Sequence, residues 1–233
     1  MKNVLECIKS GVIVSCQAQE NEPFYNEIAI SAMMKDVVAG GACALRVAGA
    51  RDVTLAKQMF PEIPVIGITK PKIIPANYKE LVYITPTFED IEILANAGAD
   101  VIAFDATSRI RKNSVEDMIN KIHSLGKLAM ADVALYLEAV EADKYSADII
   151  STTLSGYTKE SDNNSEEPDF ELLEKSIQNL KTPIILEGRI WEPTDIKKAF
   201  DLGAHSVVIG SAITRPKEIV KRYIRKAKVW KKH

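Results

Sequence analysis

The chain is short of the residues that crosslink a fold or bind metals. Its 233 residues include three cysteines and three histidines. Cys7, Cys16 and Cys43 show no C-x-x-C spacing, and pairing two of them would strand the third, so core-filling thiols in a reducing compartment are expected. His123 falls inside a helical pattern and His205 just before a strand. No metal-ligand spacing emerges, and no metal is expected. No apolar run approaches membrane-spanning length, and Lys2, Glu6 and Lys9 interrupt any signal-like core near the start. A soluble, cytoplasmic protein with no membrane partner is expected. The formal net charge is only -2, which supplies no global attraction to nucleic acid.

The length suits one domain, residues 1–233, with enough chain to bury a large core. Strand-like apolar runs alternate with helix-like segments, the pattern of parallel βα units covered on both sheet faces. Nine candidate strands appear, at 12–16, 42–47, 65–69, 81–84, 101–105, 128–132, 148–152, 184–187 and 206–209. The run at 81–84 follows its predecessor by only about ten residues, Pro71 and Pro75 among them, which is too short for a parallel crossover. Residues 71–87 are therefore assigned to an elaborated loop after strand three. Eight strands remain, with helices near 24–39, 51–59, 87–97, 114–125, 133–144, 169–180, 194–202 and 216–230. The expected fold is a (β/α)8 TIM barrel. Small-residue corners such as Ala97-Gly98-Ala99-Asp100 and Leu202-Gly203-Ala204 recur where helices end, and these read as scaffold.

Polar residues gather at the strand C-terminal ends: Gln17, Arg46, Lys70, Asp105, Asp132, Thr152 and Glu187. A barrel brings all of them to one mouth. Strands seven and eight end in Glu187-Gly188-Arg189 and Gly210-Ser211, and the loops after the last two strands are the usual phosphate site of such barrels. Lys70 and Glu187 lie across the mouth from each other, where an acid and a base can flank one carbon. Proton removal beside a carbonyl is the natural reaction class. As a base, Lys70 needs a lowered pKa, for which burial and a second cation such as Lys72 are available causes. Its other use is a Schiff base, as in an aldolase. The bland alternative for Lys70 is a solvated loop lysine, and for Glu187 a carboxylate paired with Arg189. Arg46 and Arg215 can each fork a phosphate or form an ion pair. Asp105 and Asp132 can bind hydroxyls, orient a neighbour or ligate a metal.

The last helix carries Lys217, Lys221, Arg222, Arg225, Lys226, Lys228, Lys231 and Lys232 against Glu218. A phosphosugar-sensing barrel that contacts RNA is conceivable from this face, but a solvated cationic helix end is the stronger reading, and no nucleic-acid partner is expected. Ile219, Val220, Tyr223, Ile224, Ala227 and Trp230 form an apolar stripe that should pack on the barrel or another subunit. The polar segment 159–168 reads as a surface loop, with a lid as the sharper alternative.

With these residues assembled, the chain resembles the bacterial N-acetylmannosamine-6-phosphate 2-epimerases of sialic acid catabolism. The strings V-S-C-Q-A, G-I-T-K, I-T-P-T, I-A-F-D-A-T-S-R, M-A-D-V, T-T-L-S-G-Y-T, E-G-R-I and G-S-A-I-T-R-P occur in that family's order over nearly the whole length. The resemblance implies a barrel that interconverts N-acetylmannosamine 6-phosphate and N-acetylglucosamine 6-phosphate with no redox cofactor. Lys70 would act at C2, and Glu187 would assist ring opening as acid or base. Gln17, Arg46, Asp132 and Arg215 would contact the substrate, with Thr152 added for its place at a strand end. Gly188, Arg189, Gly210 and Ser211 would surround the phosphate. The family also implies a homodimer. Two features depart from its pattern: Lys112 after Arg111 in place of proline, and a longer, more acidic loop at 159–168.

Overall fold

A computed structural model describes residues 4–228, so Trp230, Lys231 and Lys232 lie outside the described residues. The chain opens with helix α1 (Val4–Ile8), then β1 (Val12–Cys16), α2 (Glu27–Ala39), β2 (Ala44–Ala48), α3 (Ala50–Met59) and β3 (Val65–Ile68). A 3-10 turn at Tyr78–Glu80 leads to α4 (Phe88–Asn96), β4 (Val101–Asp105), α5 (Val115–Ser124), β5 (Leu128–Asp132) and α6 (Tyr136–Lys144). The remainder is β6 (Ile149–Ser151), α7 (Phe170–Asn179), β7 (Ile184–Glu187), α8 (Pro193–Asp201), β8 (Ser206–Ile209), α9 (Ser211–Thr214) and α10 (Pro216–Lys226). All eight strands pair in parallel with their sequence neighbours, and β8 closes on β1 through Val12 opposite Val207. The fold is the closed (β/α)8 barrel expected from the sequence.

Strand alternation divides the core into two layers. Ile13, Ala44, Ile66, Ile68, Val101, Ala103, Met130, Ile149, Ile185 and Val208 fill the barrel interior. Their strand neighbours, among them Val14, Leu45, Val65, Ile102, Ala129, Ile150, Leu186 and Val207, pack outward against the helices. Helix α1 closes the barrel floor: Ile8 is fully buried in the interior cluster. His205 holds this plug, with its Nε2 2.9 Å from the Leu5 carbonyl, while Ser10 donates to the His205 carbonyl at 2.7 Å.

Two helices start later than their apolar patterns suggest. Asn26 caps α2 by accepting from the Ala29 N–H at 2.8 Å, which sets the start at Glu27 rather than 24. Helix α6 begins at Tyr136 because Val133 still donates to Ser151 of β6 at 2.8 Å, and Glu138 reaches back to accept the N–H groups of Ala134 and Leu135. The helix ends behave as the small-residue corners imply, with Gly98 and Gly203 at φ 98° and 99°.

Residues 69–87 form the elaborated loop after β3, and 81–84 is not a strand of the barrel. Its strand-like composition still has a structural use. β3 and β4 pair only through Ile66–Val101 and Gly67–Ile102. Above that point the loop fills the gap: Thr85 donates its N–H to Thr69 at 3.2 Å and its hydroxyl to Ala103 at 2.7 Å, while Asp105 donates to Ile84 at 3.1 Å. The loop thus completes the barrel wall directly beneath Lys70. Truncating the floor plug, Ile8→Ala, should cost about 2–5 kcal/mol, read as a lower denaturant midpoint.

Candidate active site

Continuing the inward alternation past the apolar interior places Arg46 after Ala44, Asp132 after Met130 and Glu187 after Ile185. These three meet inside the barrel. Arg46 donates from Nη2 to Asp132 Oδ2 at 2.5 Å and from Nη1 to Asp132 Oδ1 at 3.1 Å and Glu187 Oε2 at 2.8 Å. The Arg46 and Asp132 side chains are 1% and 0% exposed, and that of Glu187 is 14% exposed. Burial works against the guanidinium charge, but the Asp132 and Glu187 carboxylates outweigh it and hold Arg46 above its ordinary pKa. Burial raises the Glu187 pKa; Arg46 opposes the rise and Asp132 adds to it. Glu187 pairs with Arg46 and not with Arg189.

Lys70, two residues past the end of β3, donates to Gln17 Oε1 at 2.8 Å, and Gln17 donates in turn to Ser15 Oγ at 2.8 Å. Burial lowers the Lys70 pKa to about 8, with Arg46 and Arg215 as further lowering charges and Glu187 as the main opposing one. Lys72 is not the second cation: its side chain is 80% exposed and turns away to pair with Glu20 at 3.0 Å. Arg215 forms an ion pair with Glu22, a partner that sequence reasoning missed because it lies 193 residues away.

Lys70 and Glu187 line one cleft of about 260 Å³ together with Gln17, Arg46, Arg215 and the rim residues Gly188, Arg189, Gly210 and Ser211. Gly188 and Arg189 take left-handed φ values of 103° and 58°, turning the chain sharply at the end of β7. Gly210 precedes α9, whose first N–H groups have no intrahelical acceptor. The Arg189 side chain donates from Nε to the Glu167 carbonyl at 2.7 Å. It lies so close over Gly156 that a Cβ there would sit 1.9 Å from Nη1, which explains a glycine in the T-T-L-S-G-Y-T string. Tyr83, Tyr157 and Trp191 also line the cleft; burial raises the Tyr83 pKa to about 12. Sequence reasoning missed all three, because none sits on a strand end.

Two expected substrate contacts lie elsewhere. Asp132 is buried behind Arg46 and does not line the cleft. Thr152 faces outward, and its hydroxyl donates to the Glu187 carbonyl at 3.0 Å and accepts from the Glu187 N–H at 3.1 Å. Its neighbour Thr153 faces the cleft. Parity from Ile149 through Ser151 was the signal that distinguished them. Asp105 is similarly committed: it binds Arg109, whose Nη1 donates to the Tyr78 carbonyl at 2.9 Å and ties down the loop after β3.

The acidic loop at 159–168 is held in place by basic residues. Asp162 pairs with Lys79 at 2.5 Å, and Glu166 with Arg225 at 3.0 Å and Lys226 at 2.9 Å. Arg222 pairs with Glu192 at 3.1 Å, so much of the basic face of α10 is neutralised within the chain. In α10, Ile219 and Ile224 are half-buried while Val220 and Tyr223 stay exposed. Cys7, Cys16 and Cys43 are free thiols. Among the described residues, no group of three or more His, Cys, Asp or Glu side chains is placed to hold a metal ion, and no helix is long and apolar enough to cross a membrane.

A closed parallel barrel with a low-pKa lysine, a buried carboxyl group and a glycine-lined rim at the C-terminal strand ends is a (β/α)8-barrel enzyme. The family model described as "Putative N-acetylmannosamine-6-phosphate epimerase" matches residues 30–229. A relative from Clostridium perfringens (strain ATCC 13124), named "Putative N-acetylmannosamine-6-phosphate 2-epimerase", is 44% identical over 94% of this chain and 98% of its own length. One of the same name from Clostridioides difficile (strain 630) is 42% identical over 95% and 98%. A solved N-acetylmannosamine-6-phosphate 2-epimerase from Clostridium perfringens superposes with TM-score 0.90 at 41% identity, covering 96% of each chain. Deoxyribose phosphate aldolase from Aeropyrum pernix, at 12% identity and TM-score 0.64, shares the fold alone. The chain belongs to the N-acetylmannosamine-6-phosphate epimerase family.

Because Arg46 is enclosed, removing its bidentate partner by Asp132→Ala should destabilise the fold by about 3 kcal/mol or more. A thermal melt would show this, with Asp132→Asn less affected.

Proposed function

We propose that this chain interconverts N-acetylmannosamine 6-phosphate and N-acetylglucosamine 6-phosphate by proton transfer at C2. The observation that carries the reading is the pairing, in one cleft, of Lys70, with its pKa lowered to about 8, and Glu187, with its pKa raised by burial. Two titratable groups pushed toward neutrality from opposite directions are what acid and base roles near neutral pH require. Membership of the epimerase family supports the substrate.

The chemistry begins with ring opening: the C1 hydroxyl loses its proton, the bond from C1 to the ring oxygen breaks, and that oxygen gains a proton. Glu187 serves this exchange. The C1 aldehyde then acidifies the C2 proton, which neutral Lys70 removes to leave an enolate. The developing oxyanion is stabilised by cations and hydrogen-bond donors around it, among which Arg46 is held rigidly by its carboxylates. A proton delivered by Glu187 to the opposite face of C2 gives the epimer, leaving Lys70 protonated and Glu187 ionised until both exchange protons with solvent. Gly188, Arg189, Gly210 and Ser211 hold the phosphate, with the N–H groups at the start of α9 as donors, and Gln17 and Arg215 contact the sugar.

The same reading places the enzyme in sialic acid catabolism in the cytoplasm, as a single barrel domain with no redox cofactor. The exposed Val220 and Tyr223 on α10 support a homodimer, because an apolar stripe left open on one chain can be covered by a second.

Proton NMR of N-acetylmannosamine 6-phosphate with the protein in deuterated water should show the epimer carrying deuterium at C2. An unchanged substrate spectrum would sink the proposal. Lys70→Ala should lower turnover by on the order of 10²–10⁴-fold with the fold intact, and retention of full activity would remove Lys70 from the mechanism. Since the folded lysine loses its proton near pH 8 rather than at its ordinary 10.5, the Lys70 limb of kcat/KM should rise with pH with its midpoint near 8. Borohydride trapping of a substrate adduct would instead assign Lys70 to Schiff-base chemistry.

A further inference from the structure

We propose that Thr153 is a positioning residue whose single hydroxyl proton alternates between Asp132 and Glu187 as Glu187 gains and loses its own proton. The inference rests on the acid/base role proposed above for Glu187.

The geometry is specific. Thr153 Oγ1 lies 2.7 Å from Asp132 Oδ1 and 3.0 Å from Glu187 Oε2. Arg46 Nη1 contacts the same two oxygens, at 3.1 Å and 2.8 Å. Two carboxylate oxygens on separate strands therefore share two donors, one permanently charged and one neutral. A threonine hydroxyl has one proton to give, so it satisfies only one of the two carboxylates at a time. Ser151 Oγ, 2.9 Å from Thr153 Oγ1, is a further acceptor within reach of that one proton.

With Glu187 protonated, its own O–H supplies a donor to the cluster, and the Thr153 proton goes to Asp132. When Glu187 loses that proton to the substrate, its oxygen becomes an acceptor, and the Thr153 hydroxyl rotates to it while Asp132 keeps both Arg46 contacts. The exchange needs only rotation about one C–O bond. No backbone or guanidinium need move, and the backbone of Glu187 is held separately by Thr152. The two adjacent threonines thus divide the work by strand parity: the outer one fixes the main chain of Glu187, and the inner one serves its carboxyl group in both protonation states.

The test uses three variants of the full chain: Thr153→Val, which keeps the side-chain shape and removes the hydroxyl, Thr153→Ser, which restores the hydroxyl, and Glu187→Gln. Carbon NMR of protein labelled at the glutamate side-chain carboxyls, with the Glu187 resonance identified by its loss in Glu187→Gln, reads the ionisation without substrate. Thr153→Val should move that titration up, by no more than about one pH unit: when Glu187 is protonated its own O–H can make good the donor lost at Asp132, and when it is ionised nothing does. It should lower kcat about tenfold with KM changed less than about twofold, and Thr153→Ser should restore both. An unmoved Glu187 titration in Thr153→Val, or a serine variant that rescues neither quantity, overturns the inference. A moved titration together with full turnover in Glu187→Gln overturns the acid/base reading of Glu187 instead. Thermal melts matched between the valine and serine variants exclude loss of fold as the cause.

Discussion

One buried arginine organises the mouth of this barrel. Arg46 is 1% exposed and reaches Asp132 on β5 and Glu187 on β7 with one guanidinium. An ion pair taken from water carries a desolvation penalty that its attraction only partly offsets, and removing one partner leaves a charge stranded. Such a cluster is a weak source of stability and a strong source of geometry. The planar fork fixes the distance and orientation between two strand ends that have no direct hydrogen-bond ladder with each other, because β6 lies between them.

The electrostatics of the cleft follow from that cluster. Arg46 supplies the positive charge that assists burial in lowering the Lys70 pKa, and it opposes the burial that raises Glu187. A single side chain therefore acts on the proposed base and the proposed acid at once. Its own charge is safe because the two carboxylates hold it well above any accessible pH. The Lys70 ammonium is oriented by Gln17, which is oriented by Ser15, so each end of the cleft has a second layer of bonded support.

The rim is built on charge pairing of another kind. Loop 159–168 is acidic and α10 is basic, and Glu166 joins them through Arg225 and Lys226. Read separately, these segments suggest a solvated loop and a cationic surface. Together they neutralise each other, and the loop carbonyl of Glu167 holds the Arg189 side chain beside the cleft. Exposed pairs of this sort are each worth little and weaken with salt. Here several converge on one short loop next to the site.

The alternation of apolar runs and helical segments was enough to determine a parallel eight-stranded barrel, because element type and crossover length follow from local chemistry. Their place at strand C-terminal ends was enough to bring Arg46, Lys70, Asp132 and Glu187 to one mouth. Family strings then tied those positions to an epimerase. What the tertiary structure alone decided were the partnerships: Asp132 committed to Arg46 rather than exposed to ligand, Lys72 turned away to Glu20, Arg215 joined to Glu22, and Thr153 set between two carboxylates where Thr152 was expected to matter. Those outcomes depend on which side chains from distant parts of the chain arrive within hydrogen-bond distance. Closure of the ring sets that distance, and no local pattern in the sequence encodes it.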